Sequence, residues 1–406
     1  MKSLTLRQYM ALILLMSFSM VSMLFITPAL GDFASLLQLT STQSAELLSF
    51  FLLGYALGQL PYGILADRLG RLTTLKYAML FSLAGSVMAI IATVTRSHEL
   101  LNLARFIIGF GGAGGSVIVA TLINESFEEQ QARRILGTVY FTFAFLPCIS
   151  IFLGGLLGKL VGPAGLLIAS GLYNLALLPL IKRLPSPRQQ DSACLSMLRL
   201  LRNYRHNLGN ASYLLCTLTF VCTVCIYCIF TSLAPLVIIE PFSLTQLHFS
   251  ILMLLITSGV AAGCFVSNHL TRRAATATRL TYGGLSMLVG GCLMLVLCYW
   301  LKASHLLLWF SIAGFILFMG HGLVSTNSSV LGIKATPFKA SGVSIMYFLS
   351  FSLSSLLSQQ TSVLLAHSNA RVFGEVLLCL AVLATLLFAL AHRKIKKLQP
   401  APQISG

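Results

Sequence analysis

Gly63-Ile64-Leu65-Ala66-Asp67-Arg68-Leu69-Gly70-Arg71 sets three charges and two glycines between two long apolar runs. A polar reversal this short reads as a loop joining two antiparallel helices. Gly63 and Gly70 permit a tight turn and a close helix approach, because neither carries a Cβ. Asp67, at a helix end, suits the positive N-terminus of another helix. That partner is expected near Lys339 and Ser341, and Arg71 is expected to pair with Glu125. The loop is read as a latch holding one conformational state closed; the alternative is a charged loop, Arg68 included, that only sets topology.

What flanks the loop decides the solvent. The chain is 57% hydrophobic and 9% charged, whereas soluble domains carry about 25% charged residues. Apolar stretches of roughly 20 residues, enough to cross a bilayer as a helix, recur along its length. The spacing predicts spans near 8–30, 43–65, 74–95, 99–123, 134–158 and 163–182, then near 211–235, 245–270, 276–300, 304–330, 340–363 and 371–392. The expected architecture is all-α and integral to the membrane: twelve transmembrane helices in two six-helix bundles. Residues 1–182 form the first bundle, 183–210 a polar cytoplasmic linker, and 211–406 the second bundle with a short basic tail. A faint repeat supports the division, since Gly263 and Ser267 stand in the eighth span where Gly63 and Asp67 stand after the second.

The net charge of +17 sits in alternate loops rather than on one face interleaved with aromatics, which excludes nucleic acid and indicates contact with anionic lipid. Lys2, Arg7, Arg68, Arg71, Lys76, Arg133, Arg134, the linker arginines and the C-terminal lysines share one side. Both termini are therefore expected in the cytoplasm, in a multi-pass protein of the cell inner membrane. The first apolar run lacks a small-x-small cleavage site and reads as an uncleaved helix. Cys222, Cys225 and Cys228, like most of the ten cysteines, lie inside apolar runs and read as packing residues. No metal and no cofactor is implied.

The opening loop has the form G-x-L-x-D-R-x-G-R and resembles the signature of the major facilitator superfamily, a resemblance covering roughly residues 8–392. It implies two related bundles with a substrate site between them, worked by alternating access. Arg105 within the fourth span, followed by Gly109, Gly111, Gly112, Gly114 and Gly115, narrows the resemblance to drug/proton antiporters. Asn124-Glu125-Ser126-Phe127-Glu128-Glu129 is similar to the MdfA-type multidrug transporters. An arginine inside a span costs a few kcal/mol, about 2.5–3.5 by insertion scales, so it serves a function or snorkels to anchor the helix end. In the fifth span Pro147, Gly154 and Gly155 match the antiporter motif in part, while Ser150 occupies an expected glycine position.

Protons would drive such a transporter, yet the first span lacks the acid carried by MdfA-type relatives. Asp32 lies just past it, either near Arg105 or as a solvated helix-end residue. Glu46, Glu99 and Glu240 fall at or near the expected outer surface and receive no role. His321, between Gly320 and Gly322, is the titratable residue nearest the midplane; it either couples to protons or is hydrogen-bonded to a nearby Ser or Thr. Cavity-facing candidates are Tyr55, Tyr140, Phe143, Tyr227, Phe315 and Tyr347.

The leading expectation is a monomeric, proton-coupled secondary transporter exporting drug-like compounds or an endogenous metabolite such as a siderophore. Import of a small nutrient is the alternative. A membrane-embedded enzyme is disfavoured because the sequence shows no nucleophile–base pair, metal cluster or phosphate-cradling loop, and a transport-dead sensor because such proteins typically carry an added soluble domain where this sequence has a short linker and tail.

Overall fold

The computed structural model describes residues 5–127, 129–184, 197–242, 244–270, 274–300, 305–367 and 371–398. The regular secondary structure of these segments is helical. The helices are α1 (Leu6–Leu24), α2 (Leu30–Leu37), α3 (Ser41–Gly58), α4 (Pro61–Leu69), α5 (Arg71–Val94), α6 (His98–Ser126), α7 (Glu129–Leu177), α8 (Met197–Gly209), α9 (Ala211–Phe242), α10 (Gln246–Leu270), α11 (Ala274–Trp300), α12 (Leu306–Lys334), α13 (Lys339–His367) and α14 (Arg371–Leu398). Prolines and glycines set the breaks. Pro28 starts a 3₁₀ turn, Thr27–Ala29, between α1 and α2, and Pro61 separates α3 from α4; each lacks the N–H that would continue the preceding helix. Gly162, at φ 67°, divides α7 where the fifth and sixth predicted spans meet.

Among the described residues ten segments are long and apolar enough to cross a membrane, against twelve expected. The segment expected at 43–65 is missing because Pro61 cuts it and a Ser-Thr-Gln-Ser run with Glu46 makes its start polar. The segment at 134–158 lies mostly where side chains fall outside the described residues. The linker stretch 185–196 and Arg272 and Arg273 also lie outside them.

Burial orders the helices. The windows within Leu6–Leu37 and Ala211–Ile239 are 78% and 83% buried, whereas those of Ile149–Arg183 and Arg371–Lys394 are each 33% buried. The first pair is surrounded by other helices and the second faces outward. The pairing repeats along the chain: α6 gathers α1, α3 and α5, and α12 gathers α9, α10 and α11. Contact between the two groups runs mainly along two seams, α3 against α13 and α7 against α10. The linker helix α8 is fastened to the second group, where Asn207 donates to the Phe338 carbonyl (3.2 Å) and Asn210 to that of Ala335 (2.7 Å).

Candidate functional site

Arg105 is fully buried on α6 and holds three helices together. Its Nε donates to the Leu47 carbonyl at 3.0 Å, Nη1 to that of Ser22 at 3.1 Å, and Nη2 to that of Met23 at 3.3 Å. The guanidinium also lies 4.7 Å from the centroid of the Phe51 ring. The local sequence explains this. The break before Pro28 ends α1 and leaves terminal carbonyls to be satisfied, at the negative end of a helix. A forked cation serves several of them at once. Arg105 is thus buried among three helices with its charge spent on backbone carbonyls, and Asp32 is not among its hydrogen-bond partners.

Asp32, in the first turn of α2, instead accepts a hydrogen bond from Gln246 Nε2 of α10, across a seam. Beside this contact, a Cβ at Gly155 would collide with Ser250 Oγ and sit 2.9 Å from the Gln246 carbonyl, so the helices close here only because residue 155 is glycine. Gly154 meets the Phe25 carbonyl of α1 in the same way. Ser150 donates to the Val21 carbonyl at 2.8 Å, a use a glycine could not supply.

The other seam carries a parallel arrangement. Glu46 Oε2 accepts from Asn102 Nδ2 at 3.0 Å and lies 3.1 Å from His98 Nε2, while Glu46 Oε1 accepts from Gln359 Nε2 of α13 at 3.3 Å. Ser355 donates to the Ser49 carbonyl at 2.7 Å nearby. Glu46 therefore joins the two groups, although its sequence position suggested no role. Nothing in the sequence paired it with a glutamine 313 residues away. Both acid–amide contacts lie at the end of the molecule that carries the starts of α3 and α10 and the end of α13.

Toward the middle, Tyr55 donates to Ser116 Oγ at 2.9 Å and meets Phe351 of the other group edge-on, with centroids 4.7 Å apart. Phe351 stacks on Tyr347 at 6.1 Å, and Tyr347 meets Phe220 at 5.9 Å. Four aromatic rings thus form a row crossing the α3–α13 seam. Phe351 and Phe220 were missed, being indistinguishable by sequence from lipid-facing phenylalanines. Tyr227 stacks on His321 at 5.2 Å. His321 is buried, meets the backbone of Thr223 rather than a Ser or Thr hydroxyl, and leaves Nδ1 without a hydrogen-bond partner. Phe315, with Leu308 and Ile312, falls on an exposed stripe of α12, apart from this group.

At the opposite end, Gly70 takes φ 87° and turns the chain from α4 into α5. Arg71 then grips Glu125 with Nη2 at 2.6 Å and Nε at 3.0 Å, a bidentate pair. Arg68 is exposed. Among the described residues no neighbouring atom stands within 4 Å of where a Gly63 Cβ would lie, so none of them makes the close approach expected there. The side chains of Asp67, Tyr140, Phe143 and Pro147 lie outside the described residues. Beside α8 is a cleft of about 580 Å³ lined by Arg202, Arg205, His206, Gly209 and Asn210. The clustered cysteines of α9 pack toward α13, with Ser354 donating to Cys225 Sγ at 3.4 Å. Among the described residues no group of three or more His, Cys, Asp or Glu could hold a metal ion.

Known proteins give this geometry a family. The chain is 27% identical over 132 residues to a bicyclomycin resistance protein homolog of Haemophilus influenzae, covering 32% of each chain. It is 25% identical over 280 residues to the chloramphenicol resistance protein CraA of Acinetobacter baumannii, covering 67% of this chain and 65% of that protein. The chain thus matches less than two thirds of the length of these relatives. In three dimensions it is similar to the xylose transporter XylE from E. coli in a partially occluded inward-open conformation. The TM-score is 0.73 at 13% identity, over 98% of this chain and 99% of that one. The Major Facilitator Superfamily model matches residues 10–359, most of the sequence, and the protein is a member of that family of transporters.

Proposed function

We propose that this protein is a proton-coupled exporter of small, apolar or amphipathic molecules, working by alternating access between two six-helix bundles. The broken α3–α4 unit and the first part of α7 supply the two spans that complete twelve. The end carrying Asp32, Glu46, Gln246 and Gln359 is the outer one, because the basic loops and both termini belong to the other. The state described is then closed outside.

The observation that carries this reading is the aromatic row Tyr55, Phe351, Tyr347 and Phe220 across the α3–α13 seam. Rings drawn from both groups offer stacking and apolar contact without a fixed geometry of charge, which suits varied organic molecules. The names of the relatives, bicyclomycin resistance and chloramphenicol resistance, support export of such compounds; an endogenous metabolite such as a siderophore is a further cargo of the same class. Arg105 acts by holding the end of α1 to α3 and α6, so that these helices move together. Asp32 and His321 are the titratable candidates for coupling. Asp67 and the Arg71–Glu125 pair form the inner latch, and the basic cleft beside α8 faces anionic lipid. The protein acts as a monomer.

An unbiased comparison tests the cargo class: exported metabolites and sensitivity to a panel of antibiotics, with and without the gene. Raised sensitivity to amphipathic aromatic compounds in the deletion supports the proposal. Unchanged sensitivity together with impaired growth on one nutrient would replace export with import.

A further inference from the structure

The cleft beside α8 brings charge, membrane depth and apolar surface to one place. Arg202, Arg205 and His206 line it, with Gly209 and Asn210. Spacings of three and four residues put the three basic side chains on one face of α8. All three are exposed, and among the described residues no carboxylate pairs with Arg202 or Arg205. The sequence offers none nearby, since no Asp or Glu occurs between Asp191 and Glu240. Like charges one turn apart oppose one another, and the negative end of the helix offsets only part of this. The cleft has about 580 Å³, within the roughly 300–1,000 Å³ of small-molecule sites. Two arginines without counter-charge therefore stand in a space large enough for an anionic group.

The position of the cleft selects the anion. Gly209 and Asn210 stand directly before Ala211, where the apolar segment Ala211–Ile239 begins. Asn210 Oδ1 accepts from the backbone N–H groups of Ser212 and Tyr213, at 3.0 and 3.2 Å, and so caps that segment. The cleft thus lies where a membrane-crossing helix leaves the bilayer, at the level of lipid headgroups. Apolar side chains flank it. Leu208 is 45% exposed, and Phe338, 37% exposed, meets His206 edge-on with centroids 5.2 Å apart. The other face of α8 is occupied. There Asn207 donates to the Phe338 carbonyl and accepts from Thr336, and Tyr204 hydrogen-bonds with Ser344.

We propose that this cleft binds the phosphate of an anionic glycerophospholipid, held by Arg202 and Arg205, with an acyl chain running along Leu208 and Phe338. A guanidinium can place two N–H groups on two phosphate oxygens at once. Basic pockets beside membrane spans take lipid phosphates by this chemistry. A soluble phosphate would use the arginines alone and gain nothing from Leu208 and Phe338, so the apolar flank favours the lipid. This deepens the reading of the cleft given above and rests on it for the side of the membrane; the lipid then belongs to the inner leaflet. One face of α8 is fastened to the turn between α12 and α13. A lipid on the other face ties the linker to the bilayer as well, so binding and docking of α8 support one another.

The test uses the full chain, stripped of lipid in an uncharged detergent and titrated with dioctanoyl phosphatidylglycerol. Native mass spectrometry reads the lipid bound, and amide hydrogen exchange over residues 203–213 reads where. The expected result is saturable binding with slowed exchange in that stretch. Arg202→Gln with Arg205→Gln removes two exposed charges outside the contacts that fasten α8. It should weaken binding by roughly 30-fold, about fivefold for each arginine. Arg393→Gln with Lys394→Gln removes the same charge from the exposed end of α14 and should leave binding unchanged. Dioctanoyl phosphatidylcholine and inorganic phosphate should each bind at least about tenfold more weakly. Equal weakening in both double variants overturns the site in favour of diffuse attraction. Phosphatidylcholine binding as tightly overturns the part given to charge, and inorganic phosphate binding as tightly replaces the lipid with a soluble anion. Unaltered exchange at residues 203–213 in the wild type also overturns the proposal. Neither orientation nor cargo enters a measurement in detergent, so this result stands or falls separately from export.

Discussion

Replacing Arg105 tests whether this side chain is a structural joint. Three charge-assisted hydrogen bonds leave its guanidinium for carbonyls on two helices, at 3.0, 3.1 and 3.3 Å. Bonds to a charged group contribute about 1.5–3 kcal/mol each, so the gross gain is roughly 5–9 kcal/mol. Holding the cation out of water costs several kcal/mol of this. Arg105→Met, which keeps much of the volume, should therefore lose on the order of 2–4 kcal/mol, with the carbonyls of Ser22 and Met23 left poorly served. Arg105→Lys keeps the charge but not the planar fork. It should fold, yet hold α1 to α3 less firmly and reduce transport by about tenfold, the equivalent of about 1.4 kcal/mol. Thermal unfolding in detergent, followed by loss of the monodisperse chromatographic peak, reads the first effect, and export of a fluorescent dye reads the second. An unchanged unfolding midpoint for Arg105→Met would refute the joint. Normal export by both variants would also remove the residue from the mechanism.

Other substitutions address separate parts of the account. Arg71→Glu and Glu125→Arg should each depress export, and the swapped double variant should recover part of it; a double-mutant cycle on stability is expected to show about 1 kcal/mol of coupling for this partly exposed pair, and no coupling removes it from the latch. Gly155→Val should force α7 from α10, so that Ser250→Cys becomes reactive to an impermeant maleimide from outside; unaltered protection contradicts the seam. His321→Gln is expected to leave ligand binding intact and flatten the pH dependence of transport, and an unchanged pH profile assigns the histidine to packing against Tyr227.

The architecture was legible where a local pattern carries it. The loop from Gly63 to Arg71 announced a reversal, and Gly70 makes it with a positive φ that an L side chain resists. The placement of Glu125 at the end of the fourth span led to Arg71, because a short charged pair at neighbouring helix ends has few alternatives. Arg105 was visible as an anomaly, but its acceptors were not. Backbone carbonyls have no residue type, and only Pro28 hinted that α1 would release them. Asp32 and Glu46 were harder still, since their glutamines arrive from helices far along the chain and a glutamine in an apolar run has no distinctive spacing. The faces of the helices were read least well. Phe315 and Phe318 are both apolar, and only packing shows that one is exposed while the other meets Phe230.

The central claim is proton-driven movement of small molecules out of the cytoplasm. Its most direct test is accumulation of a radiolabelled amphipathic antibiotic in inverted membrane vesicles. The vesicles carry this protein, and an acidic interior imposes the proton gradient. Uptake that requires the gradient, collapses with a protonophore and falls about tenfold in Arg105→Lys is the predicted result. Uptake indifferent to the gradient, or accumulation only in right-side-out vesicles, would contradict the account.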